Sequence, residues 1–161
     1  MRGRPRRRRR GMTLTEAVVG MIIVAVAVGG ALQATVVARK QSVLADDRVT
    51  ARTLLAAVEA QIGVLPYRDP QSSNAWIGVD PGESAASPAG WDDVDDADGW
   101  KGLPTIAGAT ADWSVSVVVH WAKSSDPASD TNSESGLKRI TMTAKRGGRV
   151  ILATEVLRAA P

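Results

Sequence analysis

The chain has 161 residues, enough for one ordinary domain or a smaller domain with an appendage, and 44% are hydrophobic against 23% charged, a globular balance. It contains no cysteine and a single histidine, His120. Disulfides, a thiolate zinc site, a cysteine nucleophile and a histidine metal cluster within one chain are therefore excluded. The formal charge of +3 conceals an asymmetry: seven of the 20 Lys and Arg residues lie in the first ten positions, leaving 13 basic residues against 17 acidic ones.

Residues 1–11, MRGRPRRRRRG, offer almost no apolar side chain and cannot build a core. Behind them, residues 17–38 form a run of 22 without a charge. As a helix this run is roughly 33 Å long, enough to cross the hydrocarbon of a bilayer. Arginines ahead of an apolar helix hold the N-terminus on the cytoplasmic side. Glu16 stands immediately before the run. A carboxylate inside a bilayer is costly and is less so at its edge. Two readings stay open: an acid favoured by the helix dipole in the first turn, or one that needs a cation from another chain.

The segment RRRRRG followed by MTLTEAVVGMIIVAVAVGGAL resembles the leader and first helix of type IV pilins and type II secretion pseudopilins. The resemblance implies that a prepilin peptidase cuts between Gly11 and Met12, that Met12 is then N-methylated, and that Glu16 pairs with the free amine of a neighbouring subunit during assembly. Met12 stands where the family usually has Phe, and Gln33 where many members carry a helix-bending proline. The implied partners are other pilin or pseudopilin subunits, the peptidase, and the assembly platform and secretin machinery. The implied location is the bacterial inner membrane, crossed once with the N-terminus cytoplasmic and the globular part periplasmic, and afterwards a periplasmic pseudopilus or surface pilus. A twin-arginine secretion signal fits less well, because Arg9-Arg10-Gly11-Met12-Thr13-Leu14 lacks the residues expected after the pair and no small-x-small cleavage site is obvious.

Residues 12–38 are read as the membrane and assembly half of a long helix, and residues 39–63 as its amphipathic continuation. Leu44, Ala51, Leu55, Val58 and Ile62 recur at helical spacing, and Gly63 with Pro66 supplies a stop. No breaker separates the halves, so one helix of about 45 to 50 residues is expected.

Residues 64–161 make up a β-rich globular part that begins with an acidic loop. Between Asp69 and Trp100 there are eight acids and no Lys or Arg. The loop has three readings: a solvated loop held at each end by Trp91 and Trp100, a calcium site using Asp92, Asp93, Asp95, Asp96 and Asp98, or a contact surface. Oxygen ligands suit calcium, but the EF-hand pattern fails, since Val94 falls in its first ligand position when Gly99 takes the glycine position.

Trp113, Val115, Val117, Val119 and Trp121 alternate with Ser114, Ser116, Val118 and His120, which predicts a strand with its odd face inward and His120 outward. Residues 124–136 read as a loop. Ile140, Met142 and Ala144 mark one face of a second strand, Gly147-Gly148 a tight hairpin, and 150–159 the returning strand. The hairpin region carries six basic residues and one acid, and could pair with the acidic loop of its own or another chain.

The expected fold is α+β and pilin-like: a long N-terminal helix packed on an antiparallel sheet of three or four strands. The expected function is structural, that of a minor subunit of a type IV pilus or type II secretion pseudopilus. No phosphate loop, nucleophile elbow or Ser-His arrangement supports an enzyme, and direct nucleic-acid binding is not expected of a body with net negative charge. The alternatives are an uncleaved, single-pass membrane-anchored binding module and a DNA-uptake pseudopilus subunit.

Overall fold

The computed structural model describes residues 12–70, 76–79, 87–105 and 109–161. The chain divides into two units, Met1–Leu44 and Ala45–Pro161. One uninterrupted helix, α1 (Leu14–Gly63, 50 residues), has the extent expected from the absence of a breaker.

In the first unit α1 buries none of its residues. It contains an 18-residue window of mean hydropathy 2.2, long and apolar enough to cross a membrane. In the second unit Ala51, Leu54, Leu55, Val58 and Ile62 are buried. The apolar line predicted for this half is therefore present with two changes. Leu54 joins it, fully buried beside Leu55, whereas Leu44 is 43% exposed and belongs to the first unit. The helix stops at Gly63 as expected. Its last turn leaves carbonyls unpaired within the helix, and Arg158 donates to the carbonyls of Gly63 at 3.2 Å and Leu65 at 2.8 Å.

The sheet has five antiparallel strands: β1 (Lys101–Gly102), β2 (Trp113–Lys123), β3 (Asp126–Thr131), β4 (Leu137–Arg146) and β5 (Arg149–Ala159). Their order is β1-β2-β4-β5, with β3 also on β2. β2 and β4 run in register from Trp113 opposite Arg146 to Trp121 opposite Lys138. The β4–β5 turn is Gly147-Gly148, and both residues have positive φ (54° and 80°), the conformation a two-residue hairpin of this hand demands. Val115, Val117 and Val119 of β2 and Ile140, Met142 and Ala144 of β4 form one core with the buried helix residues. His120 is exposed, on the face assigned to it.

The sheet exceeds the expected three or four strands, and the two that were not placed from the sequence are β1 and β3. β1 is two residues long. β3 lies inside the segment read as a loop, and no apolar alternation announces it: backbone pairing to β2 holds it, with a bulge between Ala122 and Lys123. The Arg139 guanidinium braces it by donating to the Pro127 and Ala128 carbonyls and to Asp130. Beyond Val119 the inward alternation of β2 breaks, with Ala122 buried and Trp121 only half-buried. Gly102 in β1 has a steric reason, since a Cβ there would lie 2.5 Å from the Trp100 ring.

Leu54→Ala is expected to lower the stability of the detergent-solubilised chain by about 2 to 5 kcal/mol, the cost of a large cavity in a packed core. Leu44→Ala should leave it nearly unchanged. Thermal melting followed by circular dichroism checks both.

Candidate functional site

Two groups of sequence-predicted residues are candidates: the start of α1 and the acidic loop. At the helix start, Met12 and Thr13 precede the first turn. The Thr13 amide donates to Glu16 Oε2 at 2.9 Å, the Thr13 hydroxyl lies 3.0 Å from the same oxygen, and the Glu16 amide donates to Thr13 Oγ1 at 3.3 Å. This is a reciprocal capping box, Thr-x-x-Glu, which satisfies two amides that the helix itself cannot. The pattern is readable in Thr13-Leu14-Thr15-Glu16. The carboxylate is exposed and stays within reach of another chain. Gly11, on the other side of the proposed cut, lies outside the described residues.

Of the acidic loop, 71–75 and 80–86 lie outside the described residues; its stretch from Trp91 to Trp100 departs from the expectation of a solvated segment. Trp91 and Trp100 anchor its ends as predicted, both buried and stacked edge to face with centroids 5.6 Å apart. Between them Asp93, Asp95 and Asp96 are buried as well, at 3%, 8% and 3% exposure. Buried carboxylates need partners, and most of these come from the loop backbone. Asp93 Oδ1 accepts from the amides of Asp95 at 2.6 Å and Asp96 at 3.2 Å, and Asp96 Oδ2 from the amide of Asp92 at 2.9 Å. Asp98 Oδ1 reaches across to the Val119 amide of β2 at 2.8 Å.

The cation of the loop is Lys138. It is 2% exposed. Its ammonium donates to Asp95 Oδ2 at 2.6 Å and to the Tyr67 carbonyl, and sits 4.2 Å from the centre of the Tyr67 ring. One side chain thus ties together the chain leaving α1, the acidic loop and β4. The sequence reading missed Lys138, although it carries a signal: it holds the inward position two residues before Ile140, Met142 and Ala144, where an apolar residue would be expected. The basic hairpin strand does meet the acidic loop, and it does so within its own chain.

Burial pushes the Asp95 carboxyl up to about 6, against the opposing pull of Lys138. Burial also raises Asp93, opposed by the two amides it accepts. Tyr67 is pushed up to about 12, first by burial and then by the nearby Glu134 and Asp95 charges.

Of the five aspartates proposed as calcium ligands, Asp92, Asp93 and Asp96 each bring an oxygen within 4.8 Å of the others, an arrangement able to hold a hard cation. Asp95 and Asp98 are committed elsewhere, to Lys138 and to β2.

Among protein families, the prokaryotic N-terminal methylation motif matches residues 6–32, which include Gly11, Met12 and Glu16. Neither a curated protein nor a solved structure matches the chain. The motif supports a type IV pilin-like relationship, with a prepilin peptidase and other pilin subunits as partners in general, and with the apolar helix it is compatible with inner-membrane anchoring.

Three outcomes are expected of the loop. Lys138→Met strands a buried carboxylate and should cost about 3 to 5 kcal/mol, with much of the loss recovered in Lys138→Met combined with Asp95→Leu. The raised Asp95 carboxyl makes the folded state bind its proton more tightly than the unfolded chain does, so its stabilising contribution is full below about 3.8 and is lost as pH rises through about 6. Asp95→Asn should flatten that part of the profile in melts run across this range. Millimolar calcium should leave Tm unmoved, because Asp93, Asp95, Asp96 and Asp98 already accept protein donors. A rise reversed by chelator would assign Asp92, Asp93 and Asp96 as ligands.

Proposed function

We propose that the protein is a structural subunit, of the minor class, of a type IV pilus or type II secretion pseudopilus, and not an enzyme. The observation that carries this reading is the methylation motif over residues 6–32, lying on a helix whose first unit, as far as Leu44, buries none of its described apolar side chains. Such a surface needs lipid before assembly and apolar partners after it. The irregular acidic loop, inserted between α1 and the main strands, supports the minor class.

In this reading the chain inserts with its arginines cytoplasmic and its β-rich unit periplasmic. The peptidase cuts between Gly11 and Met12, and the new Met12 amine is methylated. The cut leaves a cation at the head of the apolar helix, four residues from Glu16. An amine and a carboxylate are each costly in a low-dielectric place, and pairing lowers both costs. Glu16 of one subunit against the Met12 amine of the next therefore acts as a register key, since an incoming subunit out of step leaves both charges unpaired. Extraction exchanges lipid contacts for helix contacts, a nearly balanced trade in an apolar medium. Gly20, Ala25, Ala27, Gly29, Gly30 and Ala31 allow helices to approach closely.

Intact mass of the native protein should show loss of residues 1–11 and gain of one methyl group. Retention of the arginine leader in filaments would sink the proposal, and retention without filaments would favour an uncleaved anchored module. Gly11→Leu should block the shortening. Glu16→Val should permit insertion and cleavage yet abolish incorporation into sheared filaments, and normal incorporation would refute the register role.

A further inference from the structure

The Lys138–Asp95 ion pair is also an amine set against a carboxyl carbon. Both residues are shut away from water, Lys138 at 2% and Asp95 at 8% exposure. Nζ lies 2.6 Å from Oδ2, and another of its hydrogens goes to the Tyr67 carbonyl. The second carboxyl oxygen, Oδ1, is buried with no hydrogen-bond partner among the described residues. An ionised pair placed this way leaves one charged oxygen unsatisfied in the interior, which is costly. The other ion pairs differ in kind. Arg68–Glu134, Arg139–Asp130 and Arg146 with Asp47 and Asp112 bring guanidinium groups, which stay protonated in proteins, and each of these pairs has at least one side chain open to water.

We propose that this contact is the precursor of a covalent cross-link, an amide between Lys138 Nζ and Asp95 Cγ formed within the chain with loss of one water. The step balances with what the pair already holds. A proton crosses from the ammonium to Oδ2 along the existing hydrogen bond, giving an amine and a carboxylic acid. Burial favours such a neutral pair over two desolvated charges. The nitrogen lone pair then attacks Cγ and the Cγ–Oδ2 bond breaks. Oδ2 leaves as water, carrying the proton it received and one more from nitrogen. Oδ1 remains as the amide oxygen, and the last hydrogen on Nζ keeps the Tyr67 carbonyl as its acceptor. Nothing is oxidised or reduced, and no co-reactant is needed.

Holding the two groups in contact removes the entropic cost that makes this condensation negligible between separate molecules. Effective molarities of well-oriented intramolecular pairs reach about 10⁵ to 10⁸ M. Burial supplies a second drive, because the product replaces two charges by one neutral amide whose N–H already has an acceptor. The fold also gives the bond a use. Asp95 lies in the loop that follows α1 and Lys138 on β4, 43 positions apart in the chain. The chain has no cysteine from which to build a disulfide between them. An amide fastens the loop to the sheet in a way that denaturation does not undo. Such a bond is independent of the subunit reading, since it needs only the folded second unit.

The test is the intact mass of the purified full chain, unfolded in acid after standing folded in detergent. The mass should fall short of the sequence by one water, whether or not residues 1–11 have been removed, so the result does not depend on processing. Trypsin should then release a branched peptide joining residues 69–101 to residues 124–139, because a bonded Lys138 resists cleavage and neither stretch has another internal Lys or Arg. Lys138→Arg keeps a cation beside Asp95 and cannot make the amide, and Asp95→Ala removes the carboxyl; both should show the full mass and linear peptides alone. The native chain decides the matter even where these variants fold poorly: at full sequence mass it overturns the cross-link. A water loss that persists in Lys138→Arg overturns it too, as does one carried by linear peptides, which would place it in a ring imide at Asp98-Gly99. The pH profile described above for Asp95 belongs to the unbonded pair, which keeps its carboxyl.

Discussion

A single helix that must satisfy two solvents sets the terms for this molecule. In the first unit of α1 the apolar side chains are bare: Met21, Ile22, Ile23, Val24 and Val26 are 58% to 74% exposed. Burying a side chain of this size is worth about 1.5 to 3 kcal/mol, so a row of them left in water would outweigh the whole stability of an ordinary domain. The surface is tolerable only in lipid or against other apolar helices. Beyond Leu44 the helix keeps its backbone and changes its clientele: one stripe packs on a sheet and the rest faces water. The amphipathic half ties the anchor to a folded unit without a breaker.

The globular unit resolves a different conflict. The stretch from Trp91 to Trp100 is too acidic to be buried by hydrophobicity, yet most of it is buried. Trp91 and Trp100 draw it inward, and the carboxylates follow because the loop backbone turns its amides onto Asp93 and Asp96. Lys138 supplies the remaining charge from the sheet. A buried ion pair is weak evidence for stability, since desolvation consumes much of the attraction. Its value here is specific: of the apolar residues that could fill the inward position of β4, none would hold Asp95 and the Tyr67 carbonyl together. The elevated Asp95 carboxyl reports the desolvation that the pair has not fully offset.

These two arrangements explain what could be read from the sequence. The long helix, its stop at Gly63, the alternation of β2 and the Gly147-Gly148 turn were legible because each rests on local periodicity or a backbone requirement at a named residue. Leu44 and β3 misled for opposite reasons. Leu44 has the right spacing but falls in the first unit, where α1 buries nothing, and β3 has the wrong pattern but borrows its order from β2 and Arg139. At the helix start, Thr13 and Glu16 are close enough in sequence for their mutual cap to be read directly. In the loop, the five aspartates could be listed but not sorted, because which of them meet depends on Lys138, 43 residues away from Asp95.

The distribution of charge pairs gives the last step. The cations of the globular unit that contact its own acids do so at places that fasten one element to another. Arg146 ties β4 to Asp47 of α1 and to Asp112, and it holds the Asp112 carboxyl below its ordinary range. Arg68 joins the helix exit to Glu134, and Lys138 joins the acidic loop to β4. A chain that spends its pairs this way fixes its own fold with charges that link sequence-distant segments. Exposed pairs of this kind add little stability individually, roughly 0 to 1 kcal/mol, but they exclude arrangements in which either partner is left facing its own sign. In the assembly proposed above, the same rule would apply at the head of α1: a carboxylate capped by Thr13 suits the isolated helix, and an amine from the next copy would make it acceptable in an apolar one.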